Sequence, residues 1–408
     1  MGEAKAGLKA KLRTLEDELN RLLARVYGVE VEQDAEYRRW LASHKPFHWF
    51  VEFYGVLARG GFDVIVGNPP YVEYRVVRAQ YTLSEYRSLA CNNLYGFIME
   101  RSTHLIRDDG RFGMIVPAGV VGPDDSADLR RVLIDSFPRL FLSTYAIRPS
   151  KLFDGVDQRL CIFIGAVDKS AEGPAIHASR YHHWNAEERE DLFEWLTYHQ
   201  SRIFTHLDRI AQVGDSIARS ILNRIEEKKA KVISDCYATD EKVSFLLHYH
   251  RSPRYWIRAM NFEQYFKSAT RTRSIHHFRD LRLLNSRHGK IVGAIINSNL
   301  FFYWFVTLGN GRNLTGVDVA QFPVGDIDSS ELDELPAIFD RLMLDYQLHS
   351  LIRVRTDCEY QEFRPSLSKP IIDEIDRVLA RHYGFTDEEL DYIINYDIKY
   401  RLGAEDEE

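Results

Sequence analysis

Four cysteines in 408 residues, Cys91, Cys161, Cys236 and Cys358, are too few and too widely spaced for a disulfide framework or a zinc site. They read as structural thiols of a reducing compartment, and the expected location is the cytoplasm. No apolar run reaches the roughly 20 residues a membrane-spanning helix needs, and the opening Met-Gly-Glu-Ala-Lys lacks a signal-peptide core, so no membrane contact is expected. The histidines are scattered without metal-ligand spacing, and no metal is expected. Their adjacent pairs, His182-His183 and His276-His277, read as surface or nucleic-acid contacts. Asp215, Glu226 and Lys228 do not make a nuclease site, because Glu226–Lys231 reads as a solvated helix face. Glycine turns are also missing early on. Gly2, Gly7, Gly28, Gly55, Gly60, Gly61 and Gly67 never form a Gly-x-Gly turn after an apolar strand. Such a turn occurs only far downstream, at Leu308-Gly309-Asn310-Gly311, after a buried aromatic run that begins at Leu300.

What is present is concentrated in residues 62–71, Phe-Asp-Val-Ile-Val-Gly-Asn-Pro-Pro-Tyr. Phe62 to Val66 has the apolar, β-branched character of a buried parallel strand. Gly67 ends it, and two consecutive prolines cannot continue a ladder. A stiff turn at the carboxyl end of a strand is where open α/β sheets place ligands. The Asn68 side-chain oxygen and the Pro69 carbonyl can together accept both hydrogens of an exocyclic amino group. That leaves the nitrogen lone pair directed at an electrophile. Pro70 stiffens the turn, and Tyr71 offers a face for an extruded base, a stack worth about 1–3 kcal/mol. The plainer alternative is a rigid surface turn.

This decapeptide resembles motif IV of the adenine-N6 DNA methyltransferases, the class with Asn-Pro-Pro-Tyr. Asp109-Gly-Arg-Phe-Gly-Met-Ile-Val-Pro117 is similar to the family's next strand, and Lys151–Ile164 to the hairpin after it. Asn297–Trp304 and Ile393–Arg401 resemble the C-terminal half of fused, type IIG restriction–modification methylases. The resemblance implies an α/β fold: a partial Rossmann-like methyltransferase sheet, a DNA target-recognition region, and a small helical end. It implies S-adenosylmethionine as cofactor, double-stranded DNA as substrate, and Asn68, Pro69, Pro70 and Tyr71 as the catalytic turn. It makes Phe153 the candidate for a second stacking face. In this family a glycine-rich cofactor loop lies upstream, and only 67 residues precede Asn68. The expectation is a chain completed by an N-terminal half or partner subunit, with a catalytically inactive DNA-binding fragment as the alternative. Asp63 is the one upstream acid considered for cofactor contact, against an ordinary acid near a strand start.

Charge divides the rest. The chain carries a net charge of −7, yet residues 251–290 hold Arg251, Arg254, Arg258, Lys267, Arg271, Arg273, Arg279, Arg282, Arg287 and Lys290 against Glu263 and Asp280, a net of +8. Interleaved aromatics suit phosphate tracking with groove contact; the alternative is a solvated basic face over a local core. Residues 325–408 have 22 acids and 9 basic residues, and that tail is expected to stay off DNA. The expected organisation is a coiled-coil-like segment over 1–45, a catalytic half over 46–170, target recognition over 171–330, and an acidic helical region over 331–408. Leu8, Leu12, Leu15, Leu19, Leu22 and Val26 form the first segment's heptad seam, a hairpin arm, dimer contact or linker. Residues 74–106 and 125–136 are expected to be helical, and 140–147 a strand. Pro370 and Gly384 should bound a late helix, and Thr386 with Glu389 should cap the next.

Overall fold

The computed structural model describes residues 2–403 apart from 84, 123, 169–172, 205–206, 239–242, 270–277 and 310, and the backbone alone of 2–5, 124 and 403. Helices α1 (Gly2–Val26) and α2 (Asp34–His44) pair around Ala24, Val31, Tyr37 and Trp40. The heptad seam is not the face they share. Leu8 is 60% exposed and Val26 65%, with Leu12, Leu15 and Leu22 also open. Two single-turn helices, α3 (Trp49–Glu52) and α4 (Tyr54–Leu57), follow, with Phe47, Phe50, Phe53 and Tyr54 exposed.

The chain enters strand β1 (Phe62–Gly67) through Gly61 at φ +123°. A Cβ there would lie 2.4 Å from the Leu105 carbonyl oxygen, so only glycine fits. The expected helix over 74–106 is broken into α5 (Tyr74–Val77), a 3₁₀ turn, and α6 (Leu94–Thr103). Glu85 and Asn92 take left-handed backbone, which a continuous helix cannot contain. Strand β2 (Ile106–Pro117) starts earlier than the Asp109-Gly110 turn implied, and α7 (Ala127–Ser136) lies where expected. Strands β3 (Arg139–Tyr145), β4 (Leu160–Ala166), β5 (Ala175–His182) and β6 (His199–Ser201) complete a six-stranded sheet in the order β1-β2-β4-β3-β5-β6. β1, β2, β3 and β5 run parallel, while β4 is antiparallel between β2 and β3. Within 151–164 only Leu160 onward is strand, and the hairpin is β3 with β4. The sheet also continues past residue 170 to Ser201.

Alternation along β2 and β4 divides the core. Phe112, Met114, Val116, Cys161 and Phe163 face α6 and α7, while Ile115, Leu160 and Ile162 face Tyr145, Leu152 and Trp184. The β1 edge is open. Val64 is 56% exposed and Val66 75%, and β1 is paired only with β2 among the described residues.

The remaining chain forms one large core, so the tail is not a separate region. A short hairpin, β7 (Ile203–Phe204) and β8 (Arg209–Ile210), precedes α8 (Ser216–Glu227), whose N-terminus Asp215 caps by accepting from the Ala218 N–H at 2.7 Å. Strands β9 (Phe245–His250), β10 (Ala259–Met260), β11 (Phe266–Ser268) and β12 (Phe278–Leu283) lead to α9 (Ser286–Asn297) and α10 (Asn299–Leu308). Every residue of α10 is buried, which accounts for its continuous apolar run. No single helix among the described residues is long and apolar enough to cross a membrane; α9 and α10 pass only together and are bent by 63°. After α11 (Gly316–Ala320) and α12 (Leu335–Leu348), the hairpin β13 (Ser350–Val354) and β14 (Cys358–Phe363) pairs β14 against β11. α13 (Lys369–Tyr383) ends at left-handed Gly384, and α14 (Asp387–Asn395) begins with the expected Thr386–Glu389 capping box, followed by α15 (Ile398–Gly403).

Candidate active site and nucleic-acid interface

Parallel β1, β2, β3 and β5 end on one edge of the sheet, where antiparallel β4 begins. Asn68, Ala118, Ala146, Arg159 and His183 therefore share that edge. Asn68 is exposed, Pro69 buried, Pro70 exposed and Tyr71 half-buried. The Tyr71 hydroxyl lies 2.6 Å from Asn68 Oδ1 and 3.1 Å from the Ile115 carbonyl oxygen. Burial raises the Tyr71 phenol to about 12, so it holds its proton at neutral pH and donates it. The turn is thus pinned to β2. One lone pair of the Asn68 oxygen is occupied and the other remains available.

Tyr71 and Phe153 pack against one apolar cluster built on Tyr145, Leu152, Leu160, Trp184 and Leu192. Sequence likeness had linked these two residues across 82 positions, and the structure brings both to the same edge. Asp63 does not join them. It lies at the opposite end of β1, five residues or about 16 Å from Asn68 at strand rise, and Arg107 ion-pairs with it. A cofactor at the carboxyl edge is out of its reach, which corrects that assignment. The distant Gly309 closes helix α10 rather than following a strand, and Asn310 lies outside the described residues. Asp63 and Gly309 therefore do not form, with the Asn68 turn, a cofactor loop of the expected kind.

The basic stretch is divided. Arg251 and Arg254 lie in the segment between β9 and β10, and Arg258 directly before β10. Lys267, Arg279 and Arg282 stand exposed on strands. Arg287 is committed elsewhere: it donates to the Ile327 carbonyl and ion-pairs with Asp328 and Asp333. Lys290 pairs with Asp340 at 2.6 Å. Arg271, Arg273, His276 and His277 lie outside the described residues.

A half-open cleft of about 720 Å³ separates this stretch from the C-terminal hairpin. Arg254, Arg258, Arg355, Arg364 and Arg401 line it, with Asp357 and Glu362. Glu362 is already held by Arg353. The acidic tail thus contributes arginines to the basic region. Strand pairing across 90 residues placed them there, and no local pattern could have announced it. His183 also departs from the surface reading: its Nδ1 is 3.0 Å from the buried Asp397 carboxylate, which Arg180 also holds. Burial would raise that carboxyl, but His183, Arg180 and Arg401 outweigh it and hold it below its ordinary value. Burial, together with Arg180, lowers neighbouring His182 to about 4.

One protein of Methanocaldococcus jannaschii, described as a "Putative type II restriction enzyme and methyltransferase", is 28% identical over 120 residues, 29% of this chain and 10% of that protein. Two solved structures share less. The type IIL restriction-modification enzyme MmeI in complex with DNA has a TM-score of 0.41 at 12% identity, covering 83% of this chain and 57% of that one. The type IIG restriction endonuclease BpuSI has a TM-score of 0.29 at 11% identity, covering 84% and 55%. The chain thus spans only part of each of these proteins. Residues 5–138, which include the Asn68 turn, match the model of the Eco57I restriction-modification methylase family.

Proposed function

We propose that the chain is the base-handling part of a site-specific DNA methyltransferase that methylates adenine at N6 within a restriction–modification or phage-defence system. The single observation that carries this reading is the Asn68 turn at the carboxyl edge, with Tyr71 and Phe153 on one apolar cluster beside it. An adenine turned out of the duplex presents an amino group with two hydrogens. Asn68 Oδ1 and the Pro69 carbonyl accept them and hold the nitrogen lone pair outward. Tyr71 and Phe153 supply flat apolar surface, and the Tyr71 hydroxyl fixes the carboxamide. S-adenosylmethionine supplies the methyl group when bound, by residues outside this chain. Arg251, Arg254, Arg258, Lys267, Arg279 and Arg282, with Arg271 and Arg273, contact the DNA.

An N-terminal half or partner subunit that pairs with β1 completes the enzyme. The open β1 edge favours this, because parallel strands are ordinarily covered and an exposed edge invites pairing. The same edge favours a second reading, an inactive DNA-binding fragment. Calorimetry with S-adenosylmethionine on this chain should show no low-micromolar binding; such binding would refute the outside cofactor site. Methyl transfer from labelled donor, assayed with the completing half added, separates the two readings: incorporation at adenine N6 supports the enzyme, and none supports the fragment.

A further inference from the structure

We propose that Arg159, flanked by Arg148 and Arg312, binds a phosphate of the DNA strand beside the extruded base. This assignment rests on the reading of the chain as a base-handling methyltransferase. Arg159 stands immediately before β4, and its carbonyl accepts from the Ala118 N–H at 2.9 Å, just beyond β2. It is thus two strand spacings across from the Asn68 turn and three residues further along the strand direction, about 14 Å between backbones. One extruded nucleotide with its flanking phosphate can bridge that distance.

Arg159 is unusual in its company. Its Nε and Nη1 are buried without a hydrogen-bond partner, and its guanidinium lies 5.8 Å from the centre of the Tyr181 ring. Burial, the largest influence, lowers its pKa; the neighbouring Tyr181 hydroxyl opposes this, and Arg312 adds to the lowering. Arg148 and Arg254 also act on neighbouring Tyr255. Asp157 is held by Lys151 at 2.8 Å and is also acted on by Arg148 and Arg312, and its carbonyl accepts from Arg312 at 3.2 Å. A buried cation facing further cations costs stability unless an anion completes it. The planar fork of arginine matches a phosphate with two parallel hydrogen bonds. Gly311 closes over the group at φ +62°, with its Cβ position 3.7 Å from Arg159 Cζ.

The test compares the parent chain with Arg159→Gln and Arg159→Lys, each checked for unchanged melting, in binding a labelled duplex across salt. Arg312→Gln substitutes if Arg159→Gln does not fold. The parent should bind with a log–log salt slope about 0.9 steeper than the Gln variant, and Lys should restore most of that slope while binding more weakly than the parent. Equal affinity and slope in the parent and the Gln variant would overturn the assignment while leaving the methyltransferase reading intact. No duplex binding by the parent would overturn both. Inorganic phosphate and AMP serve as separate arms: if either raises the parent's melting temperature at millimolar concentration while the duplex slope is unchanged by the variant, the site is one for free anions and the DNA assignment fails.

Discussion

The two ends of the molecule treat apolar surface in opposite ways. From Phe204 to Tyr396, leucines, phenylalanines and tyrosines from the seven helices α8 to α14 and several strands close into one core. Over residues 8–66, leucines of α1, the aromatics of 47–54 and the valines of β1 lie open. Burying a large apolar side chain is worth about 1.5–3 kcal/mol, so the open end forgoes stabilisation that the closed end collects. Contiguous exposed apolar surface of this kind marks an interface. The closed end covers its apolar side chains; the open end, beside the candidate active site, leaves its own uncovered among the described residues.

Substitutions sharpen that contrast. Phe339 packs against α9 so tightly that a Cβ on Gly293 would meet its ring at 2.4 Å. Phe339→Ala should cost about 3–5 kcal/mol in urea denaturation, whereas Val66→Ala at the open edge should change stability by less than about 0.5 kcal/mol. A large loss at Val66 would show that the β1 edge is covered in the chain alone.

In the completed enzyme, Asn68→Ala should lower methyl transfer by about 10²–10³, the scale for losing one preorganised polar contact. DNA affinity should hold, because the amide acts only after the base leaves the stack. Unchanged turnover, measured with labelled methyl donor, would remove the turn from the chemistry.

The closed core also holds a pH-sensitive group. Asp376 accepts hydrogen bonds from the Asn299 and Leu300 N–H groups and from the Asn299 side chain, and burial raises its carboxyl to about 7. The folded state therefore binds a proton that the unfolded chain has lost, and stability falls as pH rises from about 4 to 7. Denaturation midpoints of Asp376→Asn should lose that part of the slope. A variant with the parent's slope would assign it to another group.

The smallest effect is expected at the edge itself. Val66→Lys should leave melting nearly unchanged and weaken pairing with any strand added beside β1. Sedimentation with the completing half distinguishes this from an edge that pairs with nothing.

Much of this was legible where the cause is local. The apolar strand with its Pro-Pro stop, the end of α13 at Gly384 and the Thr386–Glu389 cap each depend on neighbours in sequence and lie where expected, but β1 is an exposed edge strand rather than the buried one its composition implied. Non-local placements left no such trace. Tyr71 meets Ile115 because β1 pairs with β2, and the hairpin β13–β14 reaches the basic stretch because β14 pairs with β11. Arg159 looks like any strand-flanking arginine until β4 is seen between β2 and β3. The helix expected over 74–106 failed where two residues adopt a backbone that periodicity does not report.

The double acceptor around the Tyr71 hydroxyl has one more consequence. If the Asn68 carboxamide turns over, its Nδ2 donates to the tyrosine oxygen, and the phenolic proton passes to the Ile115 carbonyl. No hydrogen bond is lost in the exchange, and the amide oxygen swings outward with both lone pairs available. The turn can therefore free its amide oxygen for an incoming amino group without giving up its tie to β2.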